Sequence, residues 1–162
     1  MTVQQPTPRT AEAVSAPQRW FLSLPTWIRA GGGETNGTIS LIEQVIPPGF
    51  ASPWHIHHNE DESFLVVEGR VTVAVADRAI TLTAGGFAFG PRGVPHGFRT
   101  EGTTSTRLIL LTNGGTFADF IRATSVVADG AAPPEPNEAD IPKLIAAAAA
   151  HGLSILGPLP AL

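Results

Sequence analysis

Three of the chain's five histidines, His55, His57 and His58, fall within four positions of the stretch "WHIHHNEDESFLVVEG" (54–69), and Asn59, Glu60, Asp61 and Glu62 follow at once. On an extended strand alternate side chains share a face, so His55 and His57 project together, one pleat apart, where two imidazoles can grip one ion. Glu62 opens the apolar run after a loop of four residues, and a hairpin there would set its carboxylate beside the histidine pair. The remaining donor must come from farther along the chain. His58 faces away from its neighbours, and His151 at a helix C-terminus is explained by the helix dipole. That leaves His96, in "GGFAFGPRGVPHGF", where a strand resumes after a Pro-Gly turn. Three neutral imidazoles and one carboxylate suit a single divalent transition ion: Ni, Fe, Mn, Co or Zn. Four protein donors leave one or two positions for a substrate or dioxygen. Glu62 is the only one of the four ligands that also accepts a proton, which makes it the candidate general base towards an enolic or catecholic hydroxyl. Glu60 and Asp61 read as a solvated turn.

The same alternation selects a substrate pocket. Phe64 and Val66 share the face of Glu62, and Phe98 shares that of His96, so these three should line an apolar cavity for a flat molecule. The parity of "GFAFG" stays open: either Phe87 and Phe89 face inward, or Ala88 and Gly90 do and leave room for a ring.

Such a constellation needs a rigid frame, and the surrounding sequence supplies short strands. Between Arg19 and about Thr112, apolar runs such as "TISLIEQVI", "VTVAVAD" and "STRLILLT" are cut by Gly, Pro and Asn every eight to twelve residues. This spacing indicates an all-β sandwich or barrel rather than βαβ units. The texture then turns helical. Thr116 is placed to cap a short helix with the stripe Phe117, Phe120 and Ile121. A second helix fits 141–151, with Asp140 as N-cap, Pro142 in its first turn and Gly152 beyond its end. Its stripe of Ile141, Leu144, Ile145 and Ala148 is narrow, which puts it on the outside of the barrel. The expected organisation is a flexible N-terminal arm (1–18), a barrel (19–114) and a helical extension packed on it (115–162).

Bulk properties exclude several classes. A chain of 162 residues is long enough for one sizeable core. Its net charge of −4, with one lysine and nine scattered arginines, offers no basic stripe for nucleic acid. The absence of cysteine removes disulfides, thiolate ligands and a thiol nucleophile. No run approaches the ~20 apolar residues of a membrane span, and the first residues lack a signal-peptide core. The expectation is a cytoplasmic protein with a small-molecule substrate, no nucleic-acid partner and no membrane partner.

Two spacings sharpen this. Gly49, five residues, His55-x-His57, four residues, Glu62, six residues and Gly69 form one pattern; Gly85, five residues, Pro91-x-Gly93, two residues and His96 form another. Together they resemble the two signature motifs of the cupin superfamily over 40–112, with Thr100 where the second motif commonly ends in Asn. The resemblance implies a jelly-roll barrel (double-stranded β-helix) with a metal inside its open end. "TNGTISLIEQVIPPG", "HHNEDESFLVVEG", "FGPRGVPHGFR", "GGTFADFIR" and "AAHGLSILGPLP" are similar to the bacterial quercetinase-like (flavonol dioxygenase) monocupins over 20–160. This implies a mononuclear metal held by His55, His57, Glu62 and His96, Glu62 as proton acceptor for an aromatic enol, dioxygen as co-substrate, and a homodimer. The arm and the strand near 20–28 are candidates to cross onto a partner. Two other readings use the same residues differently: a metal-dependent isomerase, cyclase or lyase of natural-product metabolism, and a non-catalytic small-molecule-binding cupin.

Overall fold

The computed structural model describes residues 16–130, 132–137 and 140–161. Most of the expected arm, 1–15, lies outside them. The β-branched and aromatic runs form strands β1 (Arg19–Phe21), β2 (Leu24–Ala30), β3 (Ser40–Ile46), β4 (Trp54–His57), β5 (Glu62–Glu68), β6 (Arg70–Val75), β7 (Arg78–Thr83), β8 (Phe87–Gly90), β9 (His96–Thr100), β10 (Thr106–Thr112), β11 (Val126–Val127) and β12 (Leu153–Gly157). Three helices accompany them: α1 (Gly32–Thr35), α2 (Thr116–Thr124) and α3 (Ile141–Ala150). The strands pair antiparallel in two sheets, β11-β1-β2-β3-β10-β5-β8 and β12-β4-β9-β6-β7. The fold is the expected all-β jelly roll with short C-terminal helices.

Period-two alternation decides what the sheets enclose. Ile42, Ile46, Phe64, Val66 and Leu108 from one sheet meet Val71, Val73 and Phe98 from the other, and all are buried. Side chains of this size each contribute ~1.5–3 kcal/mol when fully buried. The β5–β6 connection turns at Gly69, whose φ of +86° and approach to the Thr106 backbone leave no room for a Cβ.

The C-terminal extension is more than helical. β12 pairs with β4 (Leu153↔His57, Ile155↔His55) and β11 pairs with β1, so the extension adds an edge strand to each sheet. Neither segment alternates long enough to announce a strand, and each is stabilised by a partner far away in sequence. Of the two candidates to cross to a second copy, the arm lies mostly outside the described residues, and the strand near 20–28 is paired within its own chain, with β1 between β11 and β2, and β2 between β1 and β3. α3 lies outside as expected: Ala148 is buried, Leu144 packs against the core, and Ile141 and Ile145 are exposed.

Candidate metal centre

β4 lies beside β9, and His55 stands directly opposite His96 in the ladder. Glu62 arrives differently from expectation. β4 and β5 form no hairpin; residues 58–61 carry the chain from one sheet to the other, because β4 pairs with β12 and β9 while β5 pairs with β10 and β8. Three imidazoles on one sheet therefore face one carboxylate on the other. Glu62 Oε2 lies 3.0 Å from His96 Nε2 and 3.6 Å from the Nε2 atoms of both His55 and His57. One donor atom from each of the four residues falls within 4.8 Å of all the others.

The far side of each ring fixes its orientation. His55 Nδ1 is 2.9 Å from Pro53 O and His96 Nδ1 is 2.8 Å from Val94 O, so each Nδ1–H donates outward and leaves Nε2 turned towards Glu62, where a neutral ring would offer its lone pair to an ion. Gly90, paired with Glu62, makes room for the His96 ring: a Cβ there would stand 3.1 Å from Nδ1. This settles the parity of "GFAFG", with Ala88 and Gly90 inward and Phe87 and Phe89 outward, 58% and 50% exposed.

Electrostatics follow from the enclosure. Burial pushes the Glu62 carboxyl upward, but the surrounding imidazoles outweigh it and hold Glu62 well below the usual carboxylate range. Burial pushes His57 down to about 4, against the opposing pull of Glu62. Burial lowers His96 too, but its hydrogen bond to Glu62 outweighs this and leaves the pKa raised. His57 Nε2 is, among the described residues, the one buried side-chain polar atom without a hydrogen-bond partner. Such an orphan costs ~1–3 kcal/mol. A cation among four convergent donors would satisfy it, so the residues fit a divalent transition ion.

An apolar cavity of about 60 Å³ adjoins this cluster, with His55 and Glu62 in its wall. Aromatic rings of Phe21, Phe50, Phe98, Phe117 and Phe120 supply much of the rest, with Leu144 of α3 and Ile155 of β12. Of the three expected pocket residues, Phe98 lines this cavity. Phe64 and Val66 are fully buried and are not among its lining residues; Phe64 stands edge-on behind His96 and Phe98, at 6.0 and 6.1 Å between ring centres. They share the Glu62 face, but the packed interior of the barrel takes them up.

The acidic run departs most from its sequence reading. Glu60 is 3% exposed, and its carboxylate accepts the N–H groups of Thr116 (2.6 Å) and Phe117 (3.0 Å), capping α2 in place of the expected Thr116 side chain. Asp61 accepts from the Arg92 backbone N–H and guanidinium and from Asn113 Nδ2, tying the crossing segment to the turn before β9. His58 is exposed, with Nε2 2.8 Å from Ser154 Oγ, and His151 Nδ1 is 2.7 Å from Ala147 O at the end of α3.

Comparison with known proteins agrees with this geometry. Residues 42–112 match the family described as Cupin domain. Over 91 residues, 56% of the chain, the sequence is 29% identical to quercetin 2,3-dioxygenase of Bacillus subtilis (strain 168); the match spans 27% of that longer relative. Among solved structures, the protein TT1209 from Thermus thermophilus is similar with a TM-score of 0.51 and 26% identity, covering 56% of this chain and 83% of the other. A predicted oxalate decarboxylase from Thermotoga maritima shares the fold at a TM-score of 0.53 and 17% identity, over 56% of this chain and 80% of its own. No helix among the described residues is long and apolar enough to cross a membrane. The centre of the barrel, residues 42–112, is thus similar to the Cupin domain family, and the whole sheet arrangement shares its jelly-roll fold with these solved structures.

Proposed function

We propose that the protein is a metal-dependent cupin enzyme, a quercetinase-like dioxygenase acting in the cytoplasm on a flavonol or a similar aromatic enol. One divalent transition ion per chain (Ni, Fe, Mn, Co or Zn) is held by His55, His57, Glu62 and His96. The observation that carries this reading is the apolar, phenylalanine-walled cavity that includes His55 and Glu62 in its own surface. Flat rings stack on such walls, while water is kept from the reacting oxygen. The similarity to the Bacillus subtilis dioxygenase points the same way.

A bound ion would supply positive charge that acidifies an enolic hydroxyl. Glu62, kept ionised by its imidazole cage, is then placed to take the proton on the carboxylate oxygen that the imidazoles do not engage. Its depressed pKa makes it a weak base alone, so the transfer depends on that acidification. Phe98 and Phe117 line the wall beside Glu62, and that apolar wall would slow return of the proton to water.

Quercetin and related enols, offered with and without air to protein of measured metal content, test the proposal. Oxygen-dependent loss of the enol chromophore supports it. Equal turnover under nitrogen would instead identify an isomerase, cyclase or lyase, and tight binding without turnover would identify a carrier.

We also propose a homodimer, supported by the exposed apolar strip of Leu65, Phe87, Phe89 and Leu111 on the outer faces of β5, β8 and β10. Sedimentation at micromolar concentration should show twice the chain mass of 16.9 kDa; a monomer contradicts this part.

A further inference from the structure

We infer that Glu60 is a positioning residue of the metal centre: its carboxylate stands behind the outer nitrogen of His57 and couples that ligand to the N-terminus of α2. The inference rests on the reading that His55, His57, Glu62 and His96 bind a divalent ion.

The three histidines are not supported alike. His55 and His96 each turn Nδ1 to a backbone carbonyl two residues upstream, Pro53 O and Val94 O. His57 Nδ1 instead faces a carboxylate, Glu60 Oε2, at 4.0 Å. The Nε2 of His57 is the buried atom without a partner, turned towards Glu62 Oε2 at 3.6 Å. An imidazole that gives Nε2 to a cation keeps its proton on Nδ1, and a carboxylate behind that nitrogen fixes the ring and raises its basicity. Glu60 is the group in place to do so.

The same carboxylate has a second engagement. Its oxygens accept the Thr116 and Phe117 N–H groups, so it is anchored by the first turn of α2 rather than free to swing. Gly114 lacks the Cβ that would collide with Glu60 Oε1. The Phe117 ring packs edge-on against the His57 ring, 4.9 Å between centres at 70°. Phe117 and Phe120 of α2 are also cavity wall. Ligand orientation and wall position thus meet at one side chain, in a stretch that reads locally as a solvated turn.

Zn²⁺ titration against a competing chelator tests this on the full chain, comparing wild type with Glu60→Gln and Ile121→Val. Glutamine retains one of the two acceptors for the helix, whereas Ile121→Val loosens the same helix at a buried position one turn beyond Phe117 and leaves both acceptors in place. The expected result is a ~10–100-fold loss of Zn²⁺ affinity for Glu60→Gln, the usual effect of losing such an outer partner. Ile121→Val should stay within about twofold of wild type. Equal affinity of Glu60→Gln and wild type, or equal losses in both variants, overturns the inference. Should Glu60→Gln not fold, nitrogen-15 histidine spectra of Zn²⁺-loaded wild type decide the matter. A protonated, strongly downfield Nδ1–H on His57 supports the role, and a proton on Nε2 overturns it. Should wild type take up no Zn²⁺, the titration is repeated with Ni²⁺, Fe²⁺, Mn²⁺ and Co²⁺, and uptake of none of the five would refute the metal-centre reading itself.

Discussion

His96 Nε2 lies 3.0 Å from Glu62 Oε2, although the two residues come from opposite sheets of the barrel. The carboxylate is therefore an across-barrel partner of the imidazoles rather than a hairpin neighbour, and the distance between the sheets sets how closely the donors approach one another.

Glu62→Gln separates ligand from base. Glutamine keeps an oxygen donor and nearly the same shape but loses the charge and the proton acceptor. The metal-saturated variant should still lose ~10²–10⁴-fold in turnover on a protonated enol. The loss should shrink for a substrate already ionised at the assay pH. Recovery of near-wild-type turnover when excess metal is added would show that Glu62 acts only as a ligand.

Gly90→Ala tests the space reserved for His96. The added Cβ would stand 3.1 Å from His96 Nδ1, and the ring cannot retreat without losing its Val94 O contact. Overpacking of this kind costs ~1–3 kcal/mol. Thermal unfolding should show that loss, and metal affinity should fall with it. A variant with unchanged stability and affinity would mean that the ring moves freely.

How much of this is written in the local sequence differs from residue to residue. His55, His57, Glu62 and His96 stand at recognisable spacings, and strand alternation alone sets the inward faces of β4, β5 and β9. The parity of Phe87 and Phe89 is open in the sequence because a strand of four residues, Phe87–Gly90, carries equally plausible apolar faces on both sides. Glu60 reads as a solvated turn because its helix-end partners lie 56 and 57 residues further on. The crossing from β4 to β5 is hidden for a similar reason: Leu153 of β12, not a neighbouring hairpin strand, pairs with His57. Where a partner is distant in sequence, local pattern carries no trace of it.

Asp61 gives a pH signature. Its hydrogen bonds from Arg92, with further help from Asn113, hold its carboxyl far below the ordinary value of 3.8. Below that value the unfolded chain takes up the proton first, so the contribution of Asp61 is complete above about pH 4 and is lost as pH falls further. The difference in melting temperature between wild type and Asp61→Asn should therefore narrow on acidification below about pH 4. A difference that stays constant would show that the Arg92 contact does not act through the charge of Asp61.

Metal content is the measurement closest to the centre of this account. Elemental analysis of purified wild type, after incubation with each of Ni²⁺, Fe²⁺, Mn²⁺, Co²⁺ and Zn²⁺ and removal of excess, should give about one ion per chain for at least one of them. His55→Ala, His57→Ala and His96→Ala should each retain a small fraction of that amount. A folded wild type that retains none of the five ions, or full occupancy in any of the three variants, would contradict the assignment of these side chains as the metal centre.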